Sequence, residues 1–218
     1  MNHQIRPSLR SILREKTKSA HQSLDGSMAT LDPFSSTIGY AIYLSGMHHL
    51  YTQNAGDLLW TSRESGLQDN TRDLCMLIEK DLDALSMAVA KIQNSQAQVD
   101  RAGTEACRAA SSPEVSMEKS WGVAYVIEGS SMGARHIVRQ VESNNASNSP
   151  TLPTAFLASV ATESYERWPK FTAALDESNC ESTETVAAAC ETFASAKAIF
   201  QDLTRNCERE ISTNTTTN

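Results

Sequence analysis

A histidine followed one helical turn later by an acidic residue is the first feature of the sequence that could carry chemistry. The stretch LREKTKSAHQSLD spans residues 13–25 and holds His21 four residues before Asp25. Side chains four apart share a helix face, so Asp25 can accept a hydrogen bond from one imidazole nitrogen while the other binds a metal. Thr17 and Arg14 lie one and two turns earlier. The spacing permits a supported metal ligand, and it equally fits a capped or partly buried structural histidine.

A second feature is a helical stretch, SWGVAYVIEGSSMGARHI at 120–137, that contains three glycines: Gly122, Gly129 and Gly133. Each glycine inside a helix costs about 1 kcal/mol relative to alanine, so three need a compensating reason. At about 100° per residue they share one face with Val126, and Ser130 lies at its edge. Such a face can receive another helix, or it can hold a flat ligand against bare peptide. It can also kink as a ligand changes.

The remaining histidines do not suggest a second metal site. His48 and His49 are adjacent, so they point about 100° apart on a helix and cannot share a metal on one face. The acidic residues lack Glu-x-x-His spacing, which disfavours a bundle with a carboxylate-bridged metal pair. His21 is therefore the metal-ligand candidate.

The composition favours helices as the elements that position these residues. Nine glycines and six prolines are few for 218 residues, and aromatic residues make up only 6%. This composition is typical of an all-α chain rather than a sheet of many short strands. With 40% hydrophobic residues, the chain is long enough for one sizeable core.

Hydrophobic periodicity and punctuation by proline and glycine predict the helices. The first ends at Gly26, the segment after Pro33 forms one long helix or two short ones, and Pro169 kinks or divides a later helix. The predicted helical segments are 8–25, 33–60, 72–93, 114–142, 154–178 and 184–210, with a loop over most of 96–116. No linker divides these segments, so we expect an N-terminal arm (1–7), one helical domain (8–211) and a disordered tail (212–218).

Charge and cysteine content argue against several classes of partner. A formal charge of −7 gives no general attraction to nucleic acid or to an anionic membrane. Five scattered cysteines, an odd number, fit reduced thiols in a cytoplasmic protein better than a disulfide framework. The basic N-terminus lacks an apolar segment, and no run of about 18 apolar residues predicts a membrane span.

Three stretches together resemble the haem oxygenases, in particular their bacterial branch, which includes members that supply biliverdin to bacterial phytochromes. LREKTKSAHQSLD resembles the first-helix motif whose histidine binds haem iron, and AYVIEGSSMGARHI resembles the glycine-containing distal helix. YERWPKFTAAL followed by ETFASAKAIFQDL resembles the aromatic C-terminal helix pair. The resemblance covers most of residues 8–207 and is weakest at 96–116.

The resemblance implies a single-domain, all-α bundle with haem between the first helix and a glycine-kinked distal helix. By position, His21 matches the iron ligand and Asp25 its hydrogen-bond partner, while Arg14 matches a basic residue near a haem propionate. Thr17 joins them as a cofactor-binding residue. The family's C-terminal propionate contacts have no clean match, because Pro169 falls near one of them and Arg167 and Lys170 are only its neighbours.

On the distal side, Gly129 and Gly133 match the paired glycines over the haem, where Val126 also contacts the cofactor. This leaves Gly122 as a helix-packing glycine. Ser130 is the third catalytic candidate, although animal members have an aspartate there to organise water. A serine orients only a smaller water network.

The activity implied is oxidation of haem, both cofactor and substrate, to biliverdin, carbon monoxide and Fe²⁺. It uses O₂ and electrons from an external donor, either a reductase or a ferredoxin, and a bilin-binding photoreceptor is a candidate recipient of the product. Two alternatives stay open. One is a non-catalytic haem carrier or sensor with the same fold, and the other is a helical interaction protein whose glycine face packs against a partner.

Overall fold

The computed structural model describes residues 7–85, 116–146 and 151–215, and all regular structure in those ranges is helical. The eight helices are α1 Leu9–Lys16, α2 Lys18–Leu31, α3 Thr37–Gln53, α4 Ala55–Glu64, α5 Thr71–Ala84, α6 Met117–Asn145, α7 Ala155–Glu177 and α8 Ser182–Thr215. The expected all-α architecture is confirmed. None of these helices is long and apolar enough to cross a bilayer.

Serine N-caps fix where three of the helices begin. Ser8, Ser36 and Ser116 precede α1, α3 and α6, and each side chain accepts a hydrogen bond from the backbone N–H three residues later. A serine hydroxyl at this position satisfies one of the N–H groups that a helix start leaves without an intrahelical acceptor.

The first predicted helix is in fact two. α1 ends at Lys16, α2 begins at Lys18, and the buried Thr17 between them donates its hydroxyl to the Leu13 carbonyl at 2.8 Å. Such back-bonding commonly bends a helix. The prediction that Gly26 ends the helix is wrong, because α2 continues to Leu31 and ends at Asp32, whose φ is 45°.

Other boundaries also differ from the sequence expectations. The segment after Pro33 forms two helices, α3 and α4, whereas Pro169 lies inside an undivided α7. α8 continues to Thr215, four residues into the segment expected to be a disordered tail. Residues 86–115, which include most of the expected loop, lie outside the described ranges, as do 1–6, 147–150 and 216–218.

α6 is the central helix and packs against α4, α7 and α8, while α3 and α5 complete the core. Leu13 of α1 is fully buried in this core, as are Tyr40, Phe156 and Phe171 of later helices. α2 is the exception: none of its residues is buried, and the helices it packs against are α8 and α1. The stretch around His21 therefore lies on a helix without buried residues, whereas the glycine-containing stretch lies on the central helix of the core.

A buried carboxylate joins α5 to the start of α7. Asp81 is 2% exposed and accepts hydrogen bonds from the Phe156 N–H at 2.9 Å and the Ala155 N–H at 3.2 Å. Thr154, the residue at the N-cap position of α7, makes no capping bond of its own. Asp81 thus caps α7 from another helix. Burial raises the pKa of Asp81, although the two N–H groups oppose this effect.

Candidate functional site

His21 is held from two sides on α2. Its Nδ1 lies 2.8 Å from an Asp25 carboxylate oxygen, and its ring packs edge-on against Phe193 of α8 at a centroid distance of 5.5 Å. The His21 and Asp25 side chains are 59% and 63% exposed. An imidazole that donates from Nδ1 to a carboxylate keeps a lone pair on Nε2, which is the form that binds metals. The arrangement suits a metal that approaches from outside the protein core.

The junction of α1 and α2 meets the central helix at Tyr125. The Tyr125 hydroxyl is paired with the Thr17 side chain, and Arg14 and Arg10 lie close enough to act on it electrostatically. Burial raises the pKa of Tyr125, and these three neighbours oppose the shift. The residue type and helical periodicity do not distinguish Tyr125 from a core residue. Its spacing one turn before Gly129 was the available signal.

His21 and Gly129 each lie about one helical turn after a residue of the Thr17–Tyr125 contact. His21 is four residues after Thr17 and Gly129 is four after Tyr125, so each lies about 6 Å along its helix from the contact. α2 packs mainly on α8 and less on α1, and His21 and Gly129 lie on the two helices that meet at this contact. The space between them is the candidate site.

The three glycines have different surroundings. A Cβ at Gly122 would lie 2.5 Å from the Thr185 carbonyl oxygen and 2.7 Å from the Ala188 Cβ, so α8 excludes any side chain there. The expectation that Gly122 is a packing glycine is confirmed. Among the described residues, a Cβ at Gly129 would meet only the Trp168 indole, at 3.5 Å, and a Cβ at Gly133 only Ile137 of its own helix, at 3.9 Å. These two positions have room.

Trp168 of α7 borders the glycine face and was not recognised from the sequence. Its ring lies 5.9 Å from that of Tyr125 and 5.7 Å from that of Phe171, centroid to centroid. It therefore covers the α6 surface from Tyr125 to Gly129. Periodicity cannot separate such an aromatic residue from one in the core, because both lie on an inward helix face.

The other two predicted site residues on α6, Val126 and Ser130, differ in how far they are exposed. Val126 is 8% exposed and belongs to the hydrophobic core, and its contact with the cofactor stays a prediction. Ser130 is exposed, and its hydroxyl donates to the Ile127 carbonyl at 2.7 Å. Since that hydroxyl has a single proton, Ser130 keeps only acceptor capacity toward a water molecule or ligand.

The two basic neighbours of the unmatched propionate contact are engaged elsewhere. Arg167 pairs with Glu128 and donates to the Gln68 carbonyl, while Lys170 lies 3.7 Å from Glu166 on the exposed side of α7. Near Tyr125, the nearby positive charges are instead those of Arg14 and Arg10 on α1.

Comparison with known proteins agrees with the order of these helices and motifs. A family model described as Heme oxygenase matches residues 8–202, from the N-cap of α1 to near the middle of α8. The chain belongs to the haem oxygenase family. No curated protein and no solved structure matches it. Membership of the bacterial, phytochrome-associated branch stays a prediction.

The residues at the site suit the haem that a haem oxygenase requires. In the described part of the chain, no three His, Cys, Asp or Glu side chains come together as a possible metal cage. A single supported imidazole instead suits an iron whose other ligands come from a macrocycle. Two α6 glycines leave bare peptide for a flat ring, and Arg14 supplies a cation that a propionate can pair with.

Proposed function

We propose that this haem oxygenase binds haem through His21 and oxidises it to biliverdin, carbon monoxide and Fe²⁺ with O₂ and electrons from a reductase or ferredoxin. The observation that carries the proposal is the His21–Asp25 pair on α2, which the Thr17–Tyr125 contact joins to the glycine face of α6. The supported imidazole thus lies on one helix and the open glycine positions on the other. Family membership supports the same reaction.

The proximal residues orient the imidazole and neutralise the ligand. Asp25 holds the proton on Nδ1, which leaves Nε2 of His21 free to bind iron and raises its basicity. Phe193 limits rotation of the ring from the opposite helix. Arg14 offers a fork of N–H donors to one propionate, and Tyr125 lies close to it.

When bound, haem supplies the redox-active iron and the porphyrin ring that is oxidised. The chain shapes the space around it. Gly129 and Gly133 keep side chains away from the distal face, and Trp168 bounds that space at Gly129. Ser130 accepts a hydrogen bond from water, so it holds a proton-carrying water in place and does not itself donate its proton.

Aerobic turnover of the haem complex with a reductant and catalase tests the proposal. The wild type is expected to lose its haem absorption and release biliverdin, and identification of the isomer shows which ring position is cleaved. His21→Ala is expected to abolish turnover, whereas Asp25→Asn is expected to lower affinity for haem by about 10- to 100-fold, because it weakens the hydrogen bond that orients the His21 ring. Stoichiometric binding with no pigment release would contradict enzymatic activity.

That negative result would support the second candidate, a haem carrier or sensor. The observation in its favour is Ser130, whose hydroxyl proton is committed to the Ile127 carbonyl and which provides no acidic group beside the glycines. If turnover occurs, a cytoplasmic electron donor and a bilin-binding photoreceptor as recipient are the partners to test first.

A further inference from the structure

Besides the His21–Asp25 pair, an ion pair between Glu128 and Arg167 lies next to Gly129. Arg167 of α7 donates from Nε to one Glu128 carboxylate oxygen at 3.3 Å and from Nη2 to the other. Its Nη1 donates to the Gln68 carbonyl at 2.7 Å. The two side chains are only 14% and 13% exposed. This two-point fork fixes direction as well as distance, which a lysine in the same place cannot do.

The ion pair immediately precedes the residues that border the candidate site. Glu128 is followed by Gly129 on α6, and Arg167 is followed by Trp168 on α7. Successive residues on a helix are separated by about 100° and 1.5 Å. The ion pair and the Gly129–Trp168 contact are therefore neighbours in the interface between α6 and α7. A change in the pairing therefore moves Trp168 relative to Gly129.

A small cavity borders the ion pair, so side-chain packing does not fill this part of the interface between α6 and α7. The cavity, of about 20 Å³, lies between α6, α7 and the helices behind them, and both Glu128 and Arg167 line it. That volume accommodates about one water molecule. Burial lowers the pKa of Arg167, but its bond to Glu128 and the charges of Glu128 and Glu163 outweigh this and raise it, so Arg167 stays positively charged.

We propose that Arg167 is a positioning residue of the haem site. Its fork to Glu128 sets how α7 lies against α6, and thereby sets where Trp168 stands against Gly129 and how much room the distal face has. This role rests on the proposed function, because it assumes that haem lies beside Gly129. Arg167 itself acts through Trp168.

The first experiment follows Trp168 in the haem-free chain. The protein is labelled with 5-fluorotryptophan, and the ¹⁹F resonance of Trp168 is assigned by its loss in Trp168→Phe. Arg167→Gln is expected to shift or broaden that resonance, and Arg167→Lys, which keeps the charge but loses the fork, to do so less. Lys170→Gln, which breaks an exposed pair one turn away, is the matched control and should leave it unchanged.

The second experiment measures the distal space in the ferric haem complex with imidazole as an added ligand. Arg167→Gln is expected to bind haemin like the wild type but to bind imidazole at least about threefold more tightly, the size of coupling usual between contacting residues. Lys170→Gln should match the wild type. If Arg167→Gln only destabilised the fold and did not enlarge the space beside Gly129, the affinity for imidazole would stay unchanged.

Different results overturn different statements. An unmoved Trp168 resonance in Arg167→Gln, or a moved resonance with unchanged imidazole affinity, would overturn the role of Arg167 and leave haem binding intact. A wild-type chain that binds no haemin would overturn the proposed function, and the role of Arg167 at the haem site with it. A changed resonance together with a raised imidazole affinity would support both.

Discussion

At the scale of single residues, the glycines of α6 show how one sequence feature serves two purposes. Spacing places Gly122, Gly129 and Gly133 on one face, and only the family resemblance separates Gly122 from the other two in the sequence. The distinction comes from what faces each one among the described residues: the backbone of α8 at Gly122, an indole at Gly129 and only the side chain of Ile137 at Gly133. Helix packing and ligand access therefore coexist on one helix.

This difference predicts opposite effects of alanine substitution on the haem-free protein. Gly129→Ala and Gly133→Ala are expected to be neutral or to stabilise it by up to about 1 kcal/mol through helix propensity. Gly122→Ala is expected to destabilise it by about 1–3 kcal/mol, because the methyl group would overlap the Thr185 carbonyl. Urea unfolding of the three variants measures this, and equal midpoints would contradict the assignment.

At the scale of helices, sequence reasoning located most elements but not the contacts between them. The His21–Asp25 pair was predictable because both partners lie on one helix, four residues apart. The break at Thr17 was not, since it depends on a buried hydroxyl that bonds back to Leu13. Glu128 and Arg167 are 39 residues apart in the sequence, so only the packing of α6 on α7 reveals their pairing.

The capping of α7 by Asp81 gives a prediction at the same scale. Asp81→Ala is expected to cost about 1–3 kcal/mol, because it leaves two buried N–H groups without an acceptor. Asp81→Asn, which keeps one acceptor oxygen, should cost less. Asp83→Asn, an exposed change two residues away, is the control and should have little effect. Thermal unfolding of the haem-free chain measures all three.

The pH dependence of stability provides a further check on Asp81. Its pKa is raised above the ordinary 3.8, so the folded state binds this proton more tightly than the unfolded state. The contribution from this group is therefore largest at low pH and declines as pH rises from about 3.8 through the folded pKa. Relative to Asp81→Asn, the wild type should lose stability across that interval. A difference that is constant with pH would contradict the shift.

At the scale of the whole molecule, the two helices that border the candidate site differ in how well they are packed. α6 lies in the centre of the core, whereas α2 has no buried residue and packs on α8 and α1. Contacts such as His21 with Phe193 and Lys197 with Ser23 attach α2 to α8 from one side. A ligand between α2 and α6 would therefore add contacts where the protein has fewest.

Hydrogen exchange should reveal this asymmetry. Without haem, the backbone amides of α2 are expected to exchange well before those of α6, because local opening is easiest where little apolar surface is buried. Haemin at about 100 times its dissociation constant should add up to about 2.7 kcal/mol of protection to the amides of α2. His21→Ala should remove the gain. Equal protection of α2 and α6 before haemin is added would contradict the prediction.

The break at Thr17 also has a kinetic consequence. α1 is anchored in the core by the fully buried Leu13 and by the hydrogen bond from the Arg10 backbone N–H to Asp176, whereas α2 has no buried residue and is held by its contacts with α8. If α2 moves relative to α1, Thr17, which lies between the two helices, is the residue about which it turns. Under the proposed function, release of the product would need only the 14 residues of α2 to move, while the core stays closed.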